Sequence, residues 1–268
     1  MEDIMNIQEA KLTKKVNPER KQAVSRVYSR ATKSLGNIII KPIDRALARE
    51  LIVKHHYSHK WNDASFGKFN FGIFKAEMPD ECLGVAVYGH TKNPRAKLFE
   101  HPNENAWMCE LNRMWISDEL GHNAESLFIG ATLKMVKEAD PNIVAVQSFA
   151  DGRLGCGTIY KAANFRYFGC HNTLFLENKR TGVVEHEQNF TNSVHAKMFL
   201  RCNIGLLCGD YVTWKVKTYR YIYPFCKHFV FRKPQKPYPL YEKGKELVEW
   251  KYDRQSIKDK VVKLLEVI

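Results

Sequence analysis

Apolar and polar positions along this chain switch between a period of two and one of about 3.6 residues. "NIIIKPI" (37–43) reads as a strand. In "DRALARELIVKHHY", with Asp44 as N-cap, Leu47 and Leu51 continue from the preceding Ile43 at i, i+4 and i+8, which predicts a helix. "KFNFGIFKA" and "CLGVAVYGH" alternate or run apolar, with the turn-like "EMPDE" between them, so two adjacent strands are predicted. "AWMCELNRMWIS" (106–117) is another strand. "LFIGATLKMVKEA" is apolar on most faces and reads as a buried helix, with Asn123 at its N-cap and Asp140-Pro141 as its stop. "NIVAVQSFA" (142–150) is a continuous apolar run of the kind found inside a mixed sheet. "TIYKAANF" follows as a short helix and "RYFGCHNTLFLEN" as a further strand.

That order predicts an α/β fold, one mixed central sheet flanked by helices. Residues 1–36 read as a basic arm with helical stretches, 37–241 as the main domain and 242–268 as a C-terminal helix. The order resembles the GCN5-related N-acetyltransferase fold. In that fold the loop before the helix after the fourth strand grips the donor's pyrophosphate, through free N–H groups at a positive dipole end. Here the loop is Asp118 to Asn123, and of the signature that grips pyrophosphate it keeps only Gly121; Asp118 stands where Arg or Gln belongs and Asn123 where a small residue belongs. An acyl-CoA-type donor is therefore only weakly supported by the loop.

Composition narrows the partners. The chain has 268 residues, is 44% hydrophobic and carries a formal charge of +13, which suggests an anionic partner, most often nucleic acid. No apolar run reaches the ~18 residues of a membrane span, and "MEDIMNIQEAKLTKK" lacks the apolar region of a signal peptide. Seven cysteines without a C-x-x-C pair point to reduced thiols and a cytoplasmic setting.

Chemistry concentrates in a few stretches. His55, His56, Tyr57 and His59 cluster at the end of the first helix. They either cap the C-terminal dipole and face water or form a metal or acid–base site. Asp151 ends a buried strand, where α/β folds commonly place active sites, and its alternative role is a turn aspartate before Gly152. Gly155 and Gly157 would let a backbone or substrate approach closely, and Tyr160 lies on the helix after them. In "CELNRMW", Glu110, Asn112 and Arg113 interrupt an apolar strand and need partners if buried, as a structural ion pair or as a constellation in which Arg113 steers an anion. Residues 211–241 hold seven Lys or Arg, ten aromatics and no acid. Lys215, Lys217, Arg220, Arg232 and Lys233 would contact phosphates there while the rings stack on bases; alternatively the alternating "WKVKTYRYIY" is a packed hairpin.

Taken together, "HHYS", "FGIF", "LGVAVYG", "ELNRMWISDELGHNAES", "SFAD…GTIYKAANF.Y.G" and "YRYIYP" resemble the Mom family of phage DNA-modification proteins, in order from about residue 37 to 241. The resemblance implies an acetyltransferase-like fold and a reaction on double-stranded DNA. Adenine N6 would gain a carbamoylmethyl group from a small-molecule donor, protecting phage DNA from host restriction in the bacterial cytoplasm. It places the family's His-Tyr pair on His56 and Tyr57 and its strand-end aspartate on Asp151, an iron(II)-binding or polar catalytic cluster. It also assigns Arg113, Tyr160 and Ser126 to the site, the last together with Gly121 and Asn123 on the donor side. The family's glycine turn carries a histidine where this chain has Cys156 in a turn one residue shorter. Two readings compete with it: an N-acyltransferase acting on a protein or small amine, and a non-catalytic DNA-binding protein that protects by occupancy.

Overall fold

The computed structural model describes residues 27–32, 35–94, 96–187, 196–241, 247–249 and 252–266. In chain order the strands are β1 (Tyr28–Thr32), β2 (Gly36–Pro42), β3 (Phe69–Lys75), β4 (Gly84–His90), β5 (Phe99–Glu100), β6 (Trp107–Ile116), β7 (Ile143–Asp151), β8 (Arg166–Asn178), β9 (Val184–His186), β10 (Tyr211–Pro224), β11 (Val230–Phe231) and β12 (Leu247–Glu249). The helices are α1 (Arg45–His55), α2 (Ala124–Ala139), α3 (Thr158–Ala162), α4 (Ala196–Leu207) and α5 (Arg254–Leu265). Among the described residues, ten strands form one sheet in the order β1-β2-β3-β4-β6-β7-β10-β8-β9, with β12 also paired to β10. Every pairing in it is antiparallel except that of β6 with β7. This is the expected α/β fold, a mixed central sheet flanked by helices.

Side-chain alternation assigns the two faces of the sheet. Ala86, Tyr88, Cys109, Leu111, Val146, Ala150, Tyr219 and Tyr221 join α2 and α3 in the main core. The Tyr88 hydroxyl, wholly buried there, is satisfied by Thr132 Oγ1 of α2 at 2.7 Å, as a buried phenol requires. On the opposite face, α1 packs Ala48 and Ile52 against Val85, Val87 and Trp115. The main contacts of α1 are with β3, β4 and β6, and Phe229 and Phe231 cover Ala145 and Ile222 farther along the same face, so an open stretch of β7, β10 and β8 is left between them.

The parallel ladder between β6 and β7 runs from Trp107 and Ile143 and ends at the pair Glu110 and Gln147. Beyond it the strands part, and Ser148 Oγ bridges the gap to the Leu111 carbonyl at 3.1 Å. A wedge therefore opens in the sheet where β6 carries Asn112 and Arg113 and β7 carries Phe149 and Asp151.

Two expectations change. "WKVKTYRYIY" is no hairpin but part of the 14-residue strand β10, which pairs with β8 along one edge and with β7 and β12 along the other. Residues 28–32 pair with β2 as an edge strand; the rest of the predicted arm, apart from Val27, Leu35 and Gly36, lies outside the described residues, as do parts of 242–268.

Candidate active site

The open face holds a cleft of about 660 Å³. Its floor is the end of the parallel ladder, Glu110 and Gln147, with Asn112 and Arg113 beside them; Phe149, Asp151, Thr173, Phe175, Thr218 and Arg220 line it from β7, β8 and β10, and Tyr57 from the loop after α1. A cleft of this size suits a small molecule or a nucleobase.

Asp151 does not stand alone. Arg153 Nε lies 3.0 Å from both carboxylate oxygens, its terminal nitrogen 2.5 Å from Oδ2, and the Arg153 N–H donates to Oδ1 at 3.0 Å. The turn Asp151-Gly152-Arg153 thus folds the guanidinium back onto the acid two residues before it. Glycine is required between them, because a Cβ on Gly152 would fall 2.4 Å from the Lys217 carbonyl oxygen. The same guanidinium lies over Phe175 at 4.4 Å and within 6 Å of the Trp214 and Tyr57 rings, an aromatic surround that favours a cation. Sequence reasoning missed Arg153, although its place after Asp151-Gly152 was the available signal.

Tyr57 is about half exposed as a residue (49%). Burial in the cleft, then the Asp151 carboxylate, push its phenol up to about 12, so at neutral pH it donates hydrogen bonds. His56 is buried behind it, its ring 4.3 Å from the Tyr57 ring. The Ser58 backbone N–H donates to His56 Nδ1 at 3.1 Å, and Ser58 Oγ lies 2.8 Å from the same nitrogen. Nδ1 is therefore an acceptor, and Nε2 carries the proton. Desolvation first, then the Arg113 charge, lower the imidazole to about 4, in keeping with a neutral ring. His55 lies elsewhere, stacked on Trp115 at 4.1 Å.

Arg113 donates to the Asn112 carbonyl at 2.6 Å and lies over Phe66 at 4.8 Å, while its buried Nε has no partner. Burial lowers its pKa. Glu110 accepts from Gln147 Nε2 at 2.7 Å and from Asn112 Nδ2 at 3.2 Å; burial holds its carboxyl above the usual carboxylate range. Tyr160 is buried in the core, its hydroxyl 2.9 Å from Ser148 Oγ, where β6 and β7 part. Cys156 is buried, and its carbonyl accepts from the Tyr221 hydroxyl.

His56, Tyr57, Arg113, Asp151 and Tyr160 are thus brought within electrostatic reach of one another. Gly121, Asn123 and Ser126 are not among the residues lining the cleft. Asn123 takes the N-cap position of α2 in a left-handed conformation (φ 68°) without a side-chain cap bond; the Ser126 hydroxyl donates to its carbonyl at 3.2 Å. Glu125 lies in the first turn of α2, and Asp118 and Glu119 in the short 3-10 turn before it. Glu125 places a negative charge at the positive end of the helix dipole, so the loop gives an acyl-CoA-type donor only weak support.

The iron implied for His56, Tyr57 and Asp151 meets the same test. The ring nitrogen of His56 that could face a metal carries the proton, and both Asp151 oxygens are taken by Arg153. Among the described residues no group of three or more His, Cys, Asp or Glu is placed to hold a metal ion. The arrangement does not fit iron, and no step below runs through a metal.

The five basic residues expected to bind DNA do not form one strip. Lys215 and Lys217 share parity with Tyr219 and Tyr221, whose rings belong to the α2 side, whereas Arg220 lines the cleft. Arg232 is exposed, 3.8 Å from Glu100, and Lys233 acts electrostatically on His171 at the cleft. Exposed Lys60 and Lys92 line the cleft itself. Among the described residues no helix is long and apolar enough to cross a membrane.

The model of the Mom protein family matches residues 37–240. Methylcarbamoylase mom of Escherichia phage Mu is 34% identical over 140 residues, 52% of this chain and 56% of that protein, so the match spans a little over half of the relative's length. Similar solved structures include Arabidopsis thaliana NAA60 with a bisubstrate analogue (TM-score 0.42, 11% identity, 70% of this chain and 97% of that one). Another is the ribosomal-protein-S5-alanine acetyltransferase of Vibrio fischeri (TM-score 0.40, 10% identity, 75% and 98%).

Proposed function

The chain belongs to the Mom protein family, and on that premise we propose that it is a transferase acting on the exocyclic N6 of adenine in double-stranded DNA. The group added is a carbamoylmethyl unit, by analogy with the name of the phage Mu relative, and its effect is protection of phage DNA from restriction. The observation that carries the reading is the cleft: three arginines, aromatic walls and a polar floor at the parting of two strands. Aromatic walls suit a flat base, cations suit its phosphates and a polar donor, and the floor offers hydrogen-bond partners.

Adenine N6 is paired inside a duplex, so the base must be flipped out to reach the cleft. Tyr57, Phe149 and Phe175 would stack on it. Tyr57, protonated at neutral pH, would donate a hydrogen bond to the carbonyl oxygen of the carbamoylmethyl unit and so orient it; N6 would bond to the methylene carbon as that carbon's bond to the donor's leaving group breaks, the leaving group departing with the bonding electrons beside the Arg113 guanidinium and the N6 proton passing to solvent at the cleft mouth. Asp151 and Arg153 act as one unit, the carboxylate aligning the guanidinium toward the reacting groups. Tyr160, with Ser148, supports the floor from below. The donor is a small molecule, and an acyl-CoA-type donor held at the α2 end with Gly121, Asn123 and Ser126 has only weak support.

The test is mass spectrometry of nucleosides from DNA of cells expressing the chain. A new adenosine derivative heavier by a carbamoylmethyl group is expected. Only ordinary and methylated nucleosides would overturn the assignment in favour of protection by occupancy.

A further inference from the structure

Among the described residues, four buried side-chain polar atoms lack a hydrogen-bond partner: Asn70 Oδ1, Asn112 Oδ1, Arg113 Nε and Gln147 Oε1. Three of these belong to residues lining the cleft. Asn112 Oδ1 lies against β4, where a Cβ on Gly89 would come within 2.7 Å of it. That leaves one acceptor, Gln147 Oε1, and one donor, Arg113 Nε, on the floor without protein partners. Buried polar groups are almost always paired, so an unpartnered acceptor and an unpartnered donor in the lining of one cleft point to a ligand edge with the complementary pattern.

The Gln147 amide is not at liberty to choose which end it presents. Gln147 is 3% exposed, and its Nε2 donates to Glu110 Oε2 at 2.7 Å. Turning the amide over would set its oxygen against a carboxylate, a repulsive contact. Asn112 Nδ2 donates to the other Glu110 oxygen at 3.2 Å and to the His90 carbonyl at 3.3 Å, which fixes the carboxylate in turn. Glu110 and Gln147 are also the last paired residues of the parallel ladder, so backbone pairing holds the two side chains in register.

We propose that Gln147 reads the exocyclic amine of the flipped base through its amide oxygen, with Arg113 Nε donating to the adjacent ring nitrogen and Glu110 as the positioning residue that fixes the amide. This rests on the adenine-modification reading. An acceptor beside a donor matches the N6–H and N1 of adenine, and equally the N4–H and N3 of cytosine. It opposes the keto edges of guanine and thymine, which present an oxygen where Gln147 needs a hydrogen. The floor therefore selects amino bases over keto bases. In-plane acceptance of an N6 hydrogen leaves the faces of the amine open to the donor.

The test uses the full chain and duplexes that differ at one nucleotide placed opposite an abasic site. That nucleotide is adenine, unsubstituted purine lacking the amine, or the 6-keto base hypoxanthine. The wild type is expected to bind the adenine duplex about tenfold more tightly than the purine one, the effect of a single buried hydrogen bond, and hypoxanthine no better than purine. Gln147→Leu, verified folded by its thermal melt, is expected to bind adenine and purine duplexes alike. Glu110→Gln, which keeps a carbonyl for the Gln147 amide but loses the charge that orients it, is expected to keep only part of the preference. It decides the matter if Gln147→Leu does not fold. No adenine preference in the wild type, or full preference retained in the folded Gln147→Leu variant or in Glu110→Gln, overturns the proposal. Nucleoside mass spectrometry of the wild type judges the activity separately: a missing modification with an intact adenine preference would sink the reaction and leave the reader standing.

Discussion

At the scale of single residues, the carboxylate of Asp151 is set by its partner. A base needs an oxygen lone pair turned toward a substrate proton, and Arg153 takes both oxygens through its side chain and one of them again through its backbone N–H. Groups that act as a unit are strongly non-additive. Asp151→Asn, Arg153→Ala and the double variant are therefore each expected to lower the fraction of modified adenine by about 10²-fold or more, the range of a positioned polar catalytic group, with the double no worse than either single. The measurement is the modified-to-normal nucleoside ratio at matched expression. Activity kept in Arg153→Ala but lost in Asp151→Asn would instead make Asp151 a base that acts unassisted. The sequence allowed two roles for this aspartate, turn former or strand-end functional group, as if they were exclusive. The structure gives it the turn, and the turn supplies the guanidinium. Gln147 was visible as the one amide inside the apolar run "NIVAVQSFA", which Asn142 opens, yet an isolated Gln carries no signal until its strand partner Glu110 is known.

At the scale of elements, local periodicity found β2, β3, β4, β6, β7, β8 and the helices α1, α2 and α3, because each has a clear buried face or a continuous apolar run. It did not find α4, nor β1, whose polar sequence becomes a strand only by pairing with β2. The glycine turn before α3 was read as room for a substrate; at Gly157 the room is filled by protein. Its φ is +89°, and a Cβ there would fall 2.6 Å from the Tyr221 ring and 3.0 Å from Ala150 Cβ. Gly157→Ala is expected to destabilise the fold by about 2–4 kcal/mol, left-handed strain and overpacking together. Gly130 makes the contrast: it lies inside α2, and its Cβ would meet nothing within 4 Å. Gly130→Ala should stabilise by about 0.4–1 kcal/mol through the unfolded chain. Denaturant melts of the two variants check both signs, and a neutral Gly157→Ala would show that Tyr221 can move aside.

At the scale of the whole molecule, the charge of +13 matters through where it faces. The sequence showed that 211–241 is basic and aromatic but not that a single long strand would divide its residues by parity between the two faces. Lys215 and Lys217 lie on the parity of the core tyrosines, while Lys60 and Lys92 stand at the cleft, and Lys233 is close enough to act on His171, which lines it. On the proposed reaction, a duplex delivering a flipped base would lay its phosphates around the cleft mouth, which assigns the contacts to the second group. Neutralising Lys60, Lys92 and Lys233 together is expected to weaken DNA binding and to flatten its dependence on salt. Each lost phosphate contact removes about 0.9 from the slope of log affinity against log salt, or roughly 2.7 for all three. Replacing Lys215 and Lys217 by Ala should leave that slope within error of the wild type. Anisotropy titrations of a fixed duplex at several salt concentrations measure both. The reverse result, a flattened slope only in the Lys215 and Lys217 variant, would put the duplex on the α2 side of the sheet, and the cleft could then receive its base only by way of the gap between β6 and β7.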